Sequence, residues 1–414
     1  MWRTVNTLRG KRQHTPAVLK RSNDYTDNAE EVAHELAKHY NERSATSSYP
    51  PSFQMAKERA ERRCVKLSTD TDDMYNSDFT LNELLWALDK DRSVSTGPDL
   101  VGYPMLKRLP LSVESALLEL MNRIWCSGEL PASWRTGTIV PIPKPNAHDT
   151  DPAAFRPITL TSCMAKVFER IVNRRLTTEL ESNDRLDKRQ HAFRSGKGTE
   201  TYLAELDRLI ANTDEHCLIA SLDLSKAYDT TWRYGVLRTL QKLRIRGRMF
   251  NTITNFLANR SFRVNVQGHL SQEMPLENGV PQGSVLSVTL FLVAIQPIFQ
   301  KVPANVAVVL YADDILLVAR GTKGQRLYRK LQKTVKAVHI WAKSVGFQIF
   351  ATNLSVFYCS SNARREPDIN ITIDRTEVPK TKRLKIVGVV LDRKLTFKRH
   401  CEETKKACES NYES

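Results

Sequence analysis

Residues 305–319 read Asn-Val-Ala-Val-Val-Leu-Tyr-Ala-Asp-Asp-Ile-Leu-Leu-Val-Ala. Two apolar runs flank a short polar break, the pattern of a buried β-hairpin. The break carries Asp313 and Asp314, and carboxylates that close resist ionising together. A divalent cation relieves the repulsion. Hard oxygen donors with a partly open shell suit Mg²⁺ or Mn²⁺, which also take phosphate oxygens. A polar turn that merely contains two acids fits the same residues, so this stretch alone leaves both readings open.

Two further segments bear on the choice. Residues 219–229 read Ile-Ala-Ser-Leu-Asp-Leu-Ser-Lys-Ala-Tyr-Asp, with Asp223 closing a short apolar run. A strand-end carboxylate of that kind is placed to meet the hairpin acids across a sheet. Residues 278–287 read Asn-Gly-Val-Pro-Gln-Gly-Ser-Val-Leu-Ser. Two glycines and a proline there prescribe a tight, close-approach loop ahead of an apolar helix.

In order and spacing these stretches resemble a reverse transcriptase of the non-LTR (LINE, jockey-like) retrotransposon type. Upstream, Gly97-Pro98-Asp99, Leu130-Pro131 through Trp134, Pro141 through Pro145, Phe155-Arg156-Pro157-Ile158 and Gln190 through Arg194 extend the match. Downstream, Gly346-Phe347 and Ile386 through Val389 do the same. The resemblance implies an α+β right-hand polymerase: fingers and palm, with an antiparallel palm sheet flanked by helices and a truncated thumb. Residues 1–79 would then be a basic extension with a helix and linker, 80–222 fingers, 219–391 palm and 392–414 the start of the thumb. The reverse transcriptase domain itself would span approximately 124–391.

The resemblance also implies roles. Asp223, Asp313 and Asp314 would be the catalytic acids and hold Mg²⁺, with Mn²⁺ as a substitute. Lys144 and Arg156 would grip the triphosphate of the incoming dNTP. Tyr228 would lie beneath its sugar, and Gln282 and Gly283 would line the template side. An RNA template and a DNA primer would be the partners. Asp229 reads as a structural acid behind the site.

Three positions depart from the family pattern. Val288 stands where proline is usual, Ala192 where glycine is usual, and Asn353 near the place of a lysine that could protonate the leaving pyrophosphate. An amide cannot deliver that proton. With no endonuclease portion and a shortened thumb region, the chain reads as a fragment or decaying copy of an element. The competing function is therefore a catalytically weak or inactive nucleic-acid-binding remnant. An RNA-splicing maturase is a more distant reading, since no maturase-like portion follows residue 400.

Composition agrees with a globular, polyanion-binding protein. The chain has 414 residues, 41% of them hydrophobic, and a formal net charge of +16, which suits a nucleic-acid partner. Lys242, Arg244, Arg246 and Arg248 lie in an acid-free stretch, and Lys382 and Arg383 in a second basic cluster. Both read as contacts to a template–primer backbone. Seven scattered cysteines without Cys-x-x-Cys spacing argue for reduced thiols in an intracellular protein with no disulfide-linked partner. The cytoplasm, the nucleus and the oligomeric state stay open. No apolar run reaches the roughly 18 residues of a membrane span.

Periodicity adds local expectations. Val32, Ala33, Leu36, Ala37 and Tyr40 share a helical face, as do Met164, Val167, Phe168, Ile171 and Val172 behind a Ser162 cap. A helix near 200–211 presents Tyr202, Leu203, Leu206, Leu209 and Ile210. Another, through Leu331, Val335, Val338 and Trp341, should stop at Gly346. Residues 1–23 hold six Lys or Arg and no acid. Residues 41–77, rich in Ser, Thr, Pro and charge, read as a linker or loosely packed extension.

Overall fold

The computed structural model describes residues 18–20, 25–63, 65, 72–90, 95–144, 150–211, 216–322, 324–360 and 370–412. Most of the basic stretch 1–23 lies outside them. The chain forms two compact units of mixed α and β structure. One comprises Met1–Arg185 with Tyr228–Ala294, the other Leu186–Ala227 with Ile295–Ser414.

The second unit is organised by a five-stranded sheet. Its strand order is Lys380–Thr381, Leu354–Cys359, His216–Asp223, Asp314–Gly321, Ala307–Tyr311. All pairings are antiparallel except that of the short edge strand Lys380–Thr381, which runs parallel to its neighbour. Successive strand residues face opposite sides, and here both sides are apolar. Cys217, Ile219, Leu316, Val318 and Phe357 pack with Tyr202, Leu206 and Ile210 of the helix Thr199–Ile210. By alternation Leu218, Ala220, Leu222, Ile315 and Leu317 face the other side, and all are buried. The helix Gly324–Ser344 packs against the strands His216–Asp223 and Asp314–Gly321. Its buried Leu327, Leu331, Val335, Val338 and Ala342 recur at helical spacing. Gly346 ends that helix as expected: its φ is +86°, and the Phe347 amide bonds back to the Ala342 carbonyl at 2.9 Å, a left-handed glycine cap.

The first unit has its own five-stranded sheet, built from Thr136–Pro143, Phe155–Leu160, Arg260–Val266 and two short strands, His269–Leu270 and Met274–Leu276. The helix Ala29–Ser44 lays Val32, Ala33, Leu36, Ala37 and Tyr40 on Ile139, Phe155, Phe262 and Val264, so the apolar face read from the sequence is the buried one. The helix Cys163–Ser182 is capped by Ser162, whose Oγ accepts from the Ala165 amide. It carries Phe168 into a cluster with Phe79, Trp125 and Trp134.

The linker reading of 41–77 is corrected where that segment is described. A 3₁₀ turn, Thr46–Ser48, leads into the helix Pro51–Glu61. Tyr49 and Phe53 are 2% exposed. The Tyr49 hydroxyl donates to the Thr230 carbonyl at 3.0 Å, and Phe53 meets Trp232 edge-on at 5.3 Å. Average composition conceals three aromatic anchors, Tyr49, Phe53 and Tyr75, that outweigh the polar residues between them. Truncating Phe53 to alanine should therefore lower the unfolding free energy by about 3 kcal/mol. A shift in denaturation midpoint equivalent to less than about 0.5 kcal/mol would return the segment to linker status.

Candidate active site

The acids come together in the second unit. Strand pairing sets Asp314 directly opposite Asp223, and Asp313 lies in the two-residue turn between Tyr311 and Asp314. The hairpin and the strand-end acid expected from the sequence thus meet at one end of the sheet. Asp223 and Asp313 are half-buried and Asp314 is exposed. Desolvation, then the charges of Asp313 and Asp314, push the Asp223 carboxyl up to about 6. Desolvation, then Asp313, push Asp314 up to about 6 as well, and Asp313 is raised chiefly by desolvation. Among the described residues, no cationic side chain contributes to any of these shifts.

Among the described residues, no three His, Cys, Asp or Glu side chains already close around a metal-sized point. The acids are adjacent and oxygen-only, and they leave the remainder of any coordination shell to come from elsewhere. That donor set fits Mg²⁺, which is commonly held by one or two carboxylates together with water and substrate phosphates.

The turn itself is strained. Ala312 has φ +56°, a backbone region that glycine enters freely and alanine does not. Gln190, 2% exposed, clamps it. The Ala312 amide donates to Gln190 Oε1 at 3.1 Å, and Gln190 Nε2 donates to the Ala312 carbonyl at 3.2 Å. Oε1 also accepts from the Ala192 amide at 3.0 Å. Backbone bonds from Leu310 to Arg189 and from His191 to Leu310, each 2.9 Å, fix the same segment to the hairpin. The substitution at Ala192 is harmless here, because the positive φ falls on Phe193. Asn353, exposed, precedes the strand Leu354–Cys359. It closes the 3₁₀ turn Ala351–Asn353, one residue before Leu354, which pairs with Leu222 next to Asp223.

In the first unit, Asp229 is the anchor of the loop 278–287. Arg43, in the last turn of the helix Ala29–Ser44, reaches its Oδ2 at 2.6 Å. Gln282 Nε2 donates to its Oδ1 at 3.1 Å, and the Gln282 carbonyl accepts from the Thr159 amide at 2.6 Å. Asp229 is structural in this sense: it ties the loop 278–287 to the first long helix, while Gln282's own carbonyl ties that loop to the strand Phe155–Leu160. A Cβ on Gly283 would lie 2.4 Å from the Thr159 carbonyl oxygen, and φ there is +123°, so only glycine permits the approach. Val288 lies just inside the helix Val285–Ile295.

Arg156 is exposed, and its guanidinium has no hydrogen-bond or ion-pair partner among the described residues. It stands opposite Ile142 on the neighbouring strand. Lys144 donates to the Ala153 carbonyl at 2.8 Å. Desolvation, then Arg43 and Arg156, hold its pKa below the ordinary lysine value. Tyr228 stacks on Phe291 with centroids 5.2 Å apart.

Of the basic clusters, Lys242, Arg244, Lys382 and Arg383 are exposed. Arg246 and Arg248 are instead engaged at home, by Asp73 at 2.9 Å and Asp78 at 2.6 Å. Their acids arrive from a segment far earlier in the chain, which a local reading does not reveal. Exposed pairs of this kind are worth under about 1 kcal/mol, so a phosphate can exchange with them.

Two side chains were not singled out from the sequence. Arg43 lies at the polar end of a helix notable only for its apolar stripe. Glu169, 3% exposed, accepts from Ser284 Oγ at 2.5 Å and from the Val285 and Leu286 amides at 2.8 and 3.3 Å. It thereby satisfies the first turn of the helix Val285–Ile295. An acid beside Phe168 on an otherwise apolar face was the available signal, since buried acids need a partner. The Gln190 clamp is directly testable. Gln190→Ala should speed hydrogen exchange of the Ala312 amide about tenfold or more, whereas Gln190→Glu, which keeps the acceptor oxygen, should largely preserve its protection. Unchanged exchange in the alanine variant would mean that the clamp holds nothing.

Residues 142–391 match the family described as Reverse transcriptase (RNA-dependent DNA polymerase). The chain is similar to the RNA-directed DNA polymerase from mobile element jockey of Drosophila funebris, 28% identical over 413 residues, covering 97% of this chain and 44% of that protein. The corresponding jockey protein of Drosophila melanogaster is 27% identical over 320 residues, covering 75% and 35%. A probable RNA-directed DNA polymerase from transposon X-element of the same fly is 28% identical over 310 residues, covering 73% and 34%. The chain thus spans between a third and a half of the length of these relatives.

Proposed function

The chain belongs to the reverse transcriptase (RNA-dependent DNA polymerase) family, of the non-LTR retrotransposon type, and we propose that it extends a DNA primer along an RNA template using dNTPs. The observation that carries this reading is the register pairing of Asp223 with Asp314 beside Asp313, a carboxylate cluster with raised pKa values and no cation beside it among the described residues. In this reading the second unit holds the core of a palm, and the first unit the fingers.

Mg²⁺, or Mn²⁺ in its place, would when bound lower the pKa of a primer 3′-hydroxyl and neutralise charge on the phosphate under attack. The protein's part is to fix the three carboxylates. The sheet holds Asp223 and Asp314 in register, and Gln190 keeps the strained turn from relaxing and moving Asp313. In the first unit, Arg156 offers an unclaimed guanidinium fork for phosphate oxygens. Lys144 adds a second cation, already partly desolvated. The Tyr228 ring, braced by Phe291, is suited to carry a deoxyribose and exclude a 2′-hydroxyl. Gln282 and Gly283, locked by Asp229 and Thr159, present a narrow backbone edge suited to a template base pair.

A second reading, a nucleic-acid-binding protein with little turnover, is favoured by Asn353 alone. The resemblance puts a lysine near this position as the proton donor for the leaving pyrophosphate, and an amide cannot supply that proton. Primer extension on an RNA template with a DNA primer separates the two readings. The parent chain should incorporate dNTPs, Asp313→Ala should reduce the rate by about a thousandfold or more, and Asn353→Lys should raise it by about ten- to a hundredfold. No incorporation by a folded, template-binding parent and by the lysine variant alike would establish the binding-only reading.

A further inference from the structure

The helix Gly324–Ser344 contains Arg326, Arg329, Lys330, Lys333, Lys336 and Lys343 and no Asp or Glu. Its inward face packs on the acid-bearing sheet, and Arg326, Arg329, Lys333 and Lys336 are exposed on the outward one. Asp374 takes Lys343 at 2.6 Å and His339 at 3.1 Å. The charged heads of the other five cations have no ion-pair or hydrogen-bond partner among the described residues. Lys380, from the sheet's edge strand, extends this basic surface, its ammonium 5.7 Å from the centre of the Tyr328 ring.

This arrangement opposes helix stability. Arg326 and Arg329 crowd the positive end of the helix dipole. Arg326 with Arg329 and Lys330, Lys333 with Arg329 and Lys330, and Lys333 with Lys336 are like-charge neighbours at spacings three and four, where helices ordinarily place opposite charges. The helix Lys398–Tyr412 does so: Arg399 reaches Glu402 and Glu403, and Lys405 reaches Glu409. A bound polyanion removes the repulsion along the first helix.

We propose that the outward face of the helix Gly324–Ser344, with Lys380, is a nucleic-acid backbone-binding surface separate from the polymerase site. Asp223 and Asp314 share a sheet face with Cys217, Ile219, Leu316 and Val318, the side covered by the helix Thr199–Ile210. The basic helix covers the opposite side, so the nucleic acid it holds is not the stretch being copied at the acids. From Arg326 to Lys336 the stripe runs about 15 Å, a length over which one strand of a duplex presents about four phosphates. A stripe of cations at phosphate-like spacing favours contact with the backbone, which carries no sequence information.

The test is fluorescence anisotropy of a blunt 30-base-pair DNA duplex and a 30-nucleotide RNA across a series of NaCl concentrations. It is run without dNTPs, so that its outcome is independent of catalysis. The variant combines Arg326→Ala, Arg329→Ala, Lys333→Ala and Lys336→Ala, and a double variant, Lys333→Glu with Lys336→Glu, stands beside it. The quadruple variant should fold with an undiminished melting temperature, because alanine favours the helix. Its log–log salt slope should shallow by about 3 and its Kd in moderate salt should rise about ten- to a hundredfold. Single-nucleotide incorporation at saturating template–primer should be unchanged. Unaltered slope and Kd in both folded variants would overturn the proposal in favour of a solvated face. Loss of binding only to vesicles of phosphatidylserine and phosphatidylcholine would overturn it in favour of a membrane surface.

Discussion

Three carboxylates at one end of a sheet, with no cation beside them among the described residues, are the constraint around which the second unit is built. Each raises the free energy of ionising its neighbours, and the surrounding apolar strands deepen the effect by keeping water away. Such a cluster survives only where the backbone leaves its members no room to separate. Strand register supplies that for Asp223 and Asp314. For Asp313 it is supplied by a turn whose alanine is held at an unfavourable φ by both ends of one buried amide, Gln190. Strain of this kind is ordinarily found where geometry has to be kept for chemistry.

The first unit answers a different demand, the fixing of a loop against a sheet. Asp229 receives Arg43 and Gln282, Gly283 allows the loop backbone to touch Thr159, and Glu169 supplies acceptors for the helix that follows. Removing any one partner would leave a buried or half-buried polar group unmatched, which is costlier than never having had the pair. Arg43 lies outside the 142–391 region that matches the family. The helix Ala29–Ser44 therefore completes the loop's support from beyond the recognisable domain.

Much of the site was legible because charge and periodicity were unambiguous there. Two acids between apolar runs, an acid at a strand end, and glycines flanking Pro281 and Gln282 each state a local rule, and the structure obeys them. Stripes such as Val32 to Tyr40, and Gly346 as a cap, were legible for the same reason. What escaped the reading depends on long-range partners. Gln190 meets the turn from more than a hundred residues away, Arg43 finds Asp229, and the acids that occupy Arg246 and Arg248 come from residues 72–78. The segment 41–77 misled because polar composition was averaged over buried aromatics. The basic face of Gly324–Ser344 carries no separate signal because the apolar face already accounts for the helix.

The carboxylate cluster can be tested without any reaction, by melting the chain across pH with and without Mg²⁺, beside Asp313→Asn. Asp223 and Asp314 bind protons more tightly in the folded chain than in the unfolded one, up to about 6 against 3.8. The folded state therefore holds more protons between those values, and stability falls as pH rises through them. Without Mg²⁺, the parent should lose stability relative to Asp313→Asn from about pH 4 to above pH 6, since the variant removes a cause of both shifts. Above pH 6, Mg²⁺ should restore the parent's melting temperature and leave the variant nearly unmoved. At pH 5, where protons occupy the carboxylates, Mg²⁺ should do little to either. A Mg²⁺ effect equal in parent and variant, or independent of pH, would contradict the claim that these three acids form the metal site.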